Sequence, residues 1–282
     1  MTRRWLVTGC SSGLGRALAE AAAGAGDVVV ATARKPDALE ELVRAWPDRI
    51  VPLALDVRDA AQCEEVVRVA VDRLGGLDVL VNNAGSGVFG AVEEVGDAEL
   101  HDQWETLVAG PWRLIRLLLP HLRAQGAGHI VNVSSLAGRM AFPGLSAYVA
   151  GKFALEGMSQ ALAAETAAFG VRVTVVEPAA YATHYGSALA EARHRIPVYA
   201  EATGGMLAAL RGLEGSEDAG RPADFAQAVL GIVAASGPTP LRVPLGPGAL
   251  DLVAAADAAA PADLAAARDV TAAMLPVPPS GV

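Results

Sequence analysis

Three side chains in this sequence have the types and spacing to move a proton: Ser135, Tyr148 and Lys152. Tyr148 and Lys152 stand four residues apart in the stretch Ser146-Ala-Tyr-Val-Ala-Gly-Lys152, which reads as the start of a helix. Residues at that spacing share one helix face, so phenol and ammonium project into the same space. A free tyrosine ionises near pH 10. A fixed cation beside it favours the phenolate and is expected to pull that value toward neutrality. Such a tyrosine can give or take a proton at working pH. Ser135 ends the β-rich run Ile130-Val-Asn-Val-Ser-Ser135 and can hold an oxygen beside the phenol.

The elements that must position these groups can be read in chain order. Trp5 to Thr8 is a short apolar strand. It runs into Thr8-Gly9-Cys10-Ser11-Ser12-Gly13-Leu14-Gly15, followed by a helical pattern over 16–25. A strand, a glycine-rich turn and a helix N-terminus form an anion site, with bare N–H groups and the helix dipole facing a phosphate. A tight βα turn without a ligand uses the same residues, so the flanking strand and helix carry the inference. The second strand, Val28 to Ala33, ends at Arg34-Lys35, where dinucleotide-binding folds commonly place a carboxylate for the ribose. Two cations there suit a 2′-phosphate and favour NADP over NAD; a solvated turn is the alternative.

Strands are expected at 50–55, 77–81, 129–135, 171–177 and 241–244. Helices are expected at 60–74, 97–124, 146–169 and 221–235. Pro111 predicts a kink or break near residue 107. This alternation implies an α/β fold: a single Rossmann-fold domain over 1–282, with a doubly wound parallel sheet of about seven strands and helices on both faces. Ligands in such a fold sit at the carboxyl ends of the strands. The glycine turn, Arg34, Asp56 and Asn83 to Gly85 all fall there. Asp56 as a helix cap and Asn83 as a turn residue are the plain alternatives. Residues 179–220 break the alternation and read as a helical excursion over the strand ends, either a lid or a packing insertion. Residues 246–282 read as an alanine-rich helical extension.

Composition narrows the function classes. The 282 residues are 52% hydrophobic and 19% charged, as in a globular protein. A net charge of -9 argues against nonspecific binding to nucleic acid or anionic membranes. Cys10 and Cys63 are too few for a disulfide framework, and the five histidines lack metal-site spacing. With no signal-peptide core and no uninterrupted apolar span, the expected compartment is the cytoplasm.

The motifs together resemble the short-chain dehydrogenase/reductase family, collinearly over nearly the whole chain. Thr8-Gly9, Gly13-Leu14-Gly15, Asn82-Asn83-Ala84-Gly85 and the Ser135, Tyr148, Lys152 spacing carry the likeness. Val30-Ala-Thr-Ala-Arg-Lys35 resembles the NADP-preferring members. Phe142-Pro-Gly-Leu-Ser-Ala-Tyr148, Glu177-Pro178 and Pro240-Leu-Arg-Val-Pro-Leu-Gly246 resemble the steroid and retinol dehydrogenase-like subgroup. The resemblance implies that Tyr148 is the general acid or base, that Lys152 lowers its pKa and holds the nicotinamide ribose, and that Ser135 bonds the substrate oxygen. It places Gly9, Ser11, Ser12, Gly13, Leu14, Arg34, Lys35, Asp56, Val57, Asn83, Ala84, Gly85, Pro178 and Thr183 along NADP(H), with Tyr148 and Lys152. Val88, Phe89, Leu107, Leu136, Phe142, Ala179, Tyr181 and Tyr185 are placed around a small-molecule substrate that is apolar and of small to medium size. Assembly as a homodimer or homotetramer, through the helices at 97–124 and 146–169, is a further implication.

Two departures stand out. Leu107 occupies the position of a family asparagine, whose hydrogen bonds a leucine cannot make. Ala179 replaces the glycine that usually follows Pro178. They leave three functions open: an NADP(H)-dependent carbonyl/alcohol oxidoreductase, an enzyme of this fold catalysing isomerisation, dehydration or cyclisation, and a nucleotide-binding protein without turnover. An intact Ser135, Tyr148 and Lys152 set weighs against the last.

Overall fold

A computed structural model describes residues 2–237 and 239–274. In chain order, β1 (Arg4–Val7) leads through the glycine turn to α1 (Gly13–Gly24) and β2 (Val28–Ala33). Next come α2 (Glu40–Ala45), β3 (Ile50–Ala54), α3 (Ala60–Leu74), β4 (Val79–Asn82) and a two-residue β5 (Val88–Phe89). The chain continues with α4 (Asp97–Trp104), α5 (Gly110–Gln125), β6 (Gly128–Val133), α6 (Ser146–Thr166) and β7 (Val171–Pro178). It ends with α7 (Tyr185–Ala188), β8 (Ala190–Glu191), α8 (Ala200–Gly212), α9 (Pro222–Ala234), β9 (Arg242–Leu245) and α10 (Ala249–Met274).

Seven strands form one parallel sheet in the order β3-β2-β1-β4-β6-β7-β9. The order reverses between β1 and β4, and a crevice at their carboxyl ends follows from that reversal. Both sheet faces are buried, as the apolar strands require. Alternate residues feed different layers. Trp5, Val7, Val29 and Ala31 pack with Leu18, Phe225 and Val229 of α1 and α9. Leu6, Val30 and Leu80 pack with Val66, Leu114, Leu118 and Leu162 of α3, α5 and α6.

Local signals explain most element ends. Asp59 caps α3 by accepting from the Ala61 and Gln62 amides, and Gly75 closes it in the left-handed region. The long helix expected over 97–124 is two helices joined by a π-helical turn at Glu105–Ala109. Pro111 has no N–H for the carbonyl four residues earlier, that of Leu107, and this disfavours a continuous α-helix there. The β6 strand stops at Val133, two residues before the expected end; the Ser134 amide still donates to the Val176 carbonyl at 2.8 Å, and Ser135 lies beyond the ladder. The helix after the glycine turn begins at Gly13, earlier than expected.

The 179–220 segment lies across the strand ends and is tied to the loop after β4. There β8 pairs with β5, and Tyr181 bridges to Gly220. Nothing in the local sequence of these two-residue strands announces that pairing. The extension expected from residue 246 is helical over Ala249–Met274, and residues 275–282 lie outside the described residues. No helix among the described residues is long and apolar enough to cross a membrane. No group of three or more metal-ligating side chains is present among them.

Candidate active site

The nucleotide end of the crevice is built by mutual bracing of β1 and β4. The Thr8 hydroxyl accepts from the Asn83 and Ala84 amides at 2.9 Å each. The Asn83 side-chain amide donates to the Thr8 carbonyl at 2.8 Å and the Gly9 carbonyl at 3.2 Å. Asn83 is therefore a tie between the fourth strand and the glycine turn as well as a candidate lining residue. Gly9 has φ +72, and a Cβ there would lie 2.9 Å from the Ala84 Cα, so the turn requires glycine. Ser11 and Ser12 are exposed, and Gly13 and Leu14 open α1 at the edge of the crevice. Thr183 reaches over this turn, with its methyl 3.4 Å from where a Gly13 Cβ would be.

Arg34 and Lys35 are exposed beyond β2, and neither forms an ion pair within 4 Å among the described residues. Asp56 is held by a partner that was not anticipated. Arg58 clasps its carboxylate at 2.8 to 3.2 Å and keeps its pKa below the usual range, with Arg34 adding a weaker pull. Val57 is buried against Gly110, where a Cβ would come within 2.8 Å of it. A glycine cradle, free amides at a helix N-terminus and unpaired cations past the second strand fit a nicotinamide dinucleotide.

At the other end, Ser135, Tyr148 and Lys152 come together. Ser135 caps the short turn at Leu136–Gly138, its hydroxyl accepting from the Ala137 amide at 3.1 Å. Lys152 is buried, and its ammonium donates to the Val133 carbonyl at 2.8 Å and lies 5.5 Å from the Tyr148 ring centre. Burial lowers the lysine pKa to about 8, with Glu156 pulling the other way. The Tyr148 pKa is raised, contrary to the sequence-based expectation. Crowding by protein is the dominant cause, and the nearby Ser135 and Tyr185 hydroxyls oppose it. Spacing alone brings the ammonium to the same face but cannot fix its distance from the phenol, nor how much water remains there.

The side chains expected around a substrate do not all meet in one place. Phe142, Tyr148, Val149 and Tyr185 pack with Phe89, Leu145 and Leu189 and with Met206, Leu207 and Leu210 of α8. Phe89 is fully buried and backs this wall, wedged against Gly144. Val88 packs with Ala147 and Ala192, and Leu136 is buried beside Ser135. Tyr181 does not join them. It turns into the core, edge-on to Phe225 at 5.6 Å, and its ring fills the space above Gly220 and Gly246. Leu107 is also misplaced by the sequence reading. It is buried between Gly85 and Gly151 beside Lys152, rather than lining open space. Ala179 continues the β7 ladder by donating to the Leu245 carbonyl at 2.8 Å.

Sequence reasoning missed Gln103, which is buried and holds the 86–88 loop from both sides. It accepts from the Val88 amide at 2.8 Å and donates to the Ser86 carbonyl at 2.6 Å. A glutamine one turn before Leu107, on a helix facing the site, was the available signal. It also missed the three α8 side chains, which only the tertiary fold brings over Tyr148.

Known proteins share this sequence pattern and fold. A family model for short chain dehydrogenase matches residues 3–194. An oxidoreductase of Botryotinia fuckeliana is 40% identical over 252 residues, covering 89% of this chain and 91% of that protein. A solved short-chain dehydrogenase of Streptomyces avermitilis superposes with a TM-score of 0.88 at 43% identity, covering 96% of this chain and 97% of that one. Among more distant structures, a metagenomic short-chain oxidoreductase was solved with NADP (27% identity, TM-score 0.70, 87% and 97% covered). One from Burkholderia phymatum was solved with NAD (26% identity, TM-score 0.73, 83% and 86% covered).

Proposed function

This chain belongs to the short-chain dehydrogenase family, and from that premise we propose that it is an NADP(H)-dependent oxidoreductase interconverting a carbonyl and an alcohol on an apolar substrate of small to medium size. The observation that carries the reading is the convergence of Ser135, Tyr148 and Lys152 at the end of a crevice whose other end is the glycine turn. The dinucleotide, when bound, supplies or accepts the hydride. The chain's own residues handle the proton. In reduction, Ser135 donates to the carbonyl oxygen and Tyr148 transfers its proton to it. The Lys152 ammonium favours the phenolate left behind. In oxidation the phenolate takes the proton back. The apolar cluster of Phe142, Leu189, Met206 and Leu207 excludes water and suits the bulk of a steroid- or retinol-like substrate. The 179–220 segment serves as the lid.

The NADP preference rests on Arg34 and Lys35, with Asp56 already neutralised by Arg58. Replacing Arg34 by alanine removes a charge-assisted hydrogen bond to a 2′-phosphate, so NADPH affinity should fall about tenfold or more. NADH affinity should stay within about twofold, since it offers no such phosphate. Fluorescence titration of both nucleotides measures the two constants, and equal losses would remove the 2′-phosphate argument. The function itself is tested by NADPH consumption against a panel of apolar ketones; a panel without turnover, on protein that binds NADPH, speaks against it.

A second reading has one observation in its favour. The apolar side chain of Leu107 packs beside Lys152, where the resemblance led us to expect a polar one. Proton chemistry without redox, such as isomerisation or dehydration, would need Tyr148 and Ser135 but not that group. Assembly is read from the exposed Trp104, Trp112 and Phe153 on α4, α5 and α6, which a second copy of the chain would cover in a homodimer or homotetramer.

A further inference from the structure

Tyr185 opens α7 with its ring 5.7 Å from that of Tyr148, tilted by 55°. Its hydroxyl oxygen is buried beside that of Tyr148 and makes no hydrogen bond of good geometry among the described residues. A buried hydroxyl left in this state has lost its water without full compensation, which a well-placed partner would relieve. The backbone is shaped to admit it. A Cβ on Gly87 would lie 2.5 Å from the Tyr185 oxygen and 2.7 Å from Leu189, so only glycine at 87 leaves the ring room. Gly87 is in the loop held by Gln103, and the Tyr185 amide donates weakly to the Thr183 hydroxyl at 3.4 Å. Both sides of the hydroxyl's niche are therefore fixed by the fold.

The surroundings define what such a hydroxyl is for. The hydrophobic side chains packed around this part of the cleft are Phe142, Val149, Leu189, Met206, Leu207 and Leu210. Ser135 and Tyr148 already supply two hydroxyls for the reacting oxygen. A third stands beside them without a well-formed protein hydrogen bond, and a second polar atom on a substrate would satisfy it.

We propose that Tyr185 is a specificity-determining residue whose hydroxyl bonds a second oxygen on the substrate, close to the reacting carbonyl. The preferred class is an apolar chain or ring bearing a hydroxyl or carbonyl oxygen one or two carbons from the group that reacts. This rests on the carbonyl/alcohol reading above. A site built to bond a substrate oxygen rejects the analogue lacking it more strongly than it senses a change of carbon skeleton.

The test uses the whole protein and matched probes: 3-hydroxydecan-2-one and ethyl 3-oxodecanoate against decan-2-one. Wild type should favour at least one oxygenated probe by about tenfold to hundredfold in kcat/KM, the span of one buried hydrogen bond. Tyr185→Phe should bring that ratio to about one by losing the oxygenated probe, with decan-2-one retained within about threefold. Its melting temperature should be unchanged or higher, because a buried hydroxyl without a well-formed hydrogen bond has been removed. Gly87→Ala, which crowds the same oxygen, should also collapse the ratio. Calorimetric binding of the three probes is measured in parallel. Binding in the expected order without turnover would sink the oxidoreductase reading while upholding Tyr185 as the anchor. A wild-type ratio near one, or equal losses on all three probes in Tyr185→Phe, overturns the proposal.

Discussion

Tyr148→Phe should lower turnover by about a thousandfold or more while the fold and nucleotide affinity stay near wild type. Positioned acid–base groups contribute roughly 10²–10⁴ in rate, and this phenol has a buried lysine beneath its ring. The substitution removes one oxygen and leaves the packing of the ring intact. The polar neighbours of the Tyr148 oxygen are the Ser135 and Tyr185 hydroxyls of the site itself, so circular dichroism and melting should change little. The pH dependence has a definite sign. Burial raises the pKa of the phenol, so at neutral pH it is protonated, which is the form reduction needs. Reduction should be flat near neutrality and fall as pH rises through that raised value; oxidation should rise over the same range. Lys152, with its pKa near 8, carries its charge below that pH, where it supports the phenolate most. Retained turnover in Tyr148→Phe, measured by NADPH consumption on the best ketone of the panel, would remove the assigned acid.

Gly15→Ala should be the most damaging single change at the nucleotide end. Gly15 lies in a helix with ordinary dihedrals, so the argument is one of space and not of backbone freedom. A Cβ there would stand 2.3 Å from the Asn83 amide nitrogen and 2.4 Å from the Gly9 carbonyl oxygen. These atoms are the two halves of the brace joining β4 to the turn. Neither can yield without breaking that brace or pushing α1 off the sheet. Overpacking of this kind costs about 1–3 kcal/mol, and each lost hydrogen bond adds about 1 kcal/mol. The melting temperature should fall by roughly 5–10 °C in a chain this long. NADPH affinity should fall by about a hundredfold, because the amides that face the phosphates move with the turn. Gly204→Ala on α8 is the control: nothing lies within 4 Å of a Cβ there, so helix propensity should make it neutral or stabilising by up to about 1 kcal/mol. Equal effects of the two substitutions would show that the brace does not organise the site.

Which parts of this were legible in the sequence follows from the range of the forces involved. The five inner sheet strands were readable because both their faces are buried, which demands short continuous apolar runs such as Val28–Ala33 and Val171–Pro178, whereas the edge strands β3 and β9 are only partly buried and were placed by the βα alternation. The glycine turn was readable because positive φ and close approach leave few other residues possible at Gly9. The break ahead of Pro111 was readable from a missing donor, although its π-helical form was not. Contacts between distant segments were not legible. Tyr181 and Tyr185 are four residues apart and looked equivalent, yet one fills the core over Gly246 and the other faces Tyr148. Arg58 on Asp56, Gln103 on the 86–88 loop and α8 over the cleft are likewise set by the tertiary fold. The direction of the Tyr148 pKa shift depended on crowding that no spacing rule contains.

The central claim is that the proton chemistry of Ser135, Tyr148 and Lys152 serves hydride transfer. It is tested most directly by turning over an apolar ketone with NADPH deuterated at the transferable position and analysing the product by mass spectrometry and NMR. One deuterium is expected on the carbinol carbon per NADPH consumed, lost together with turnover in Tyr148→Phe. Conversion of substrate with no deuterium in the product and no NADPH consumed would contradict it.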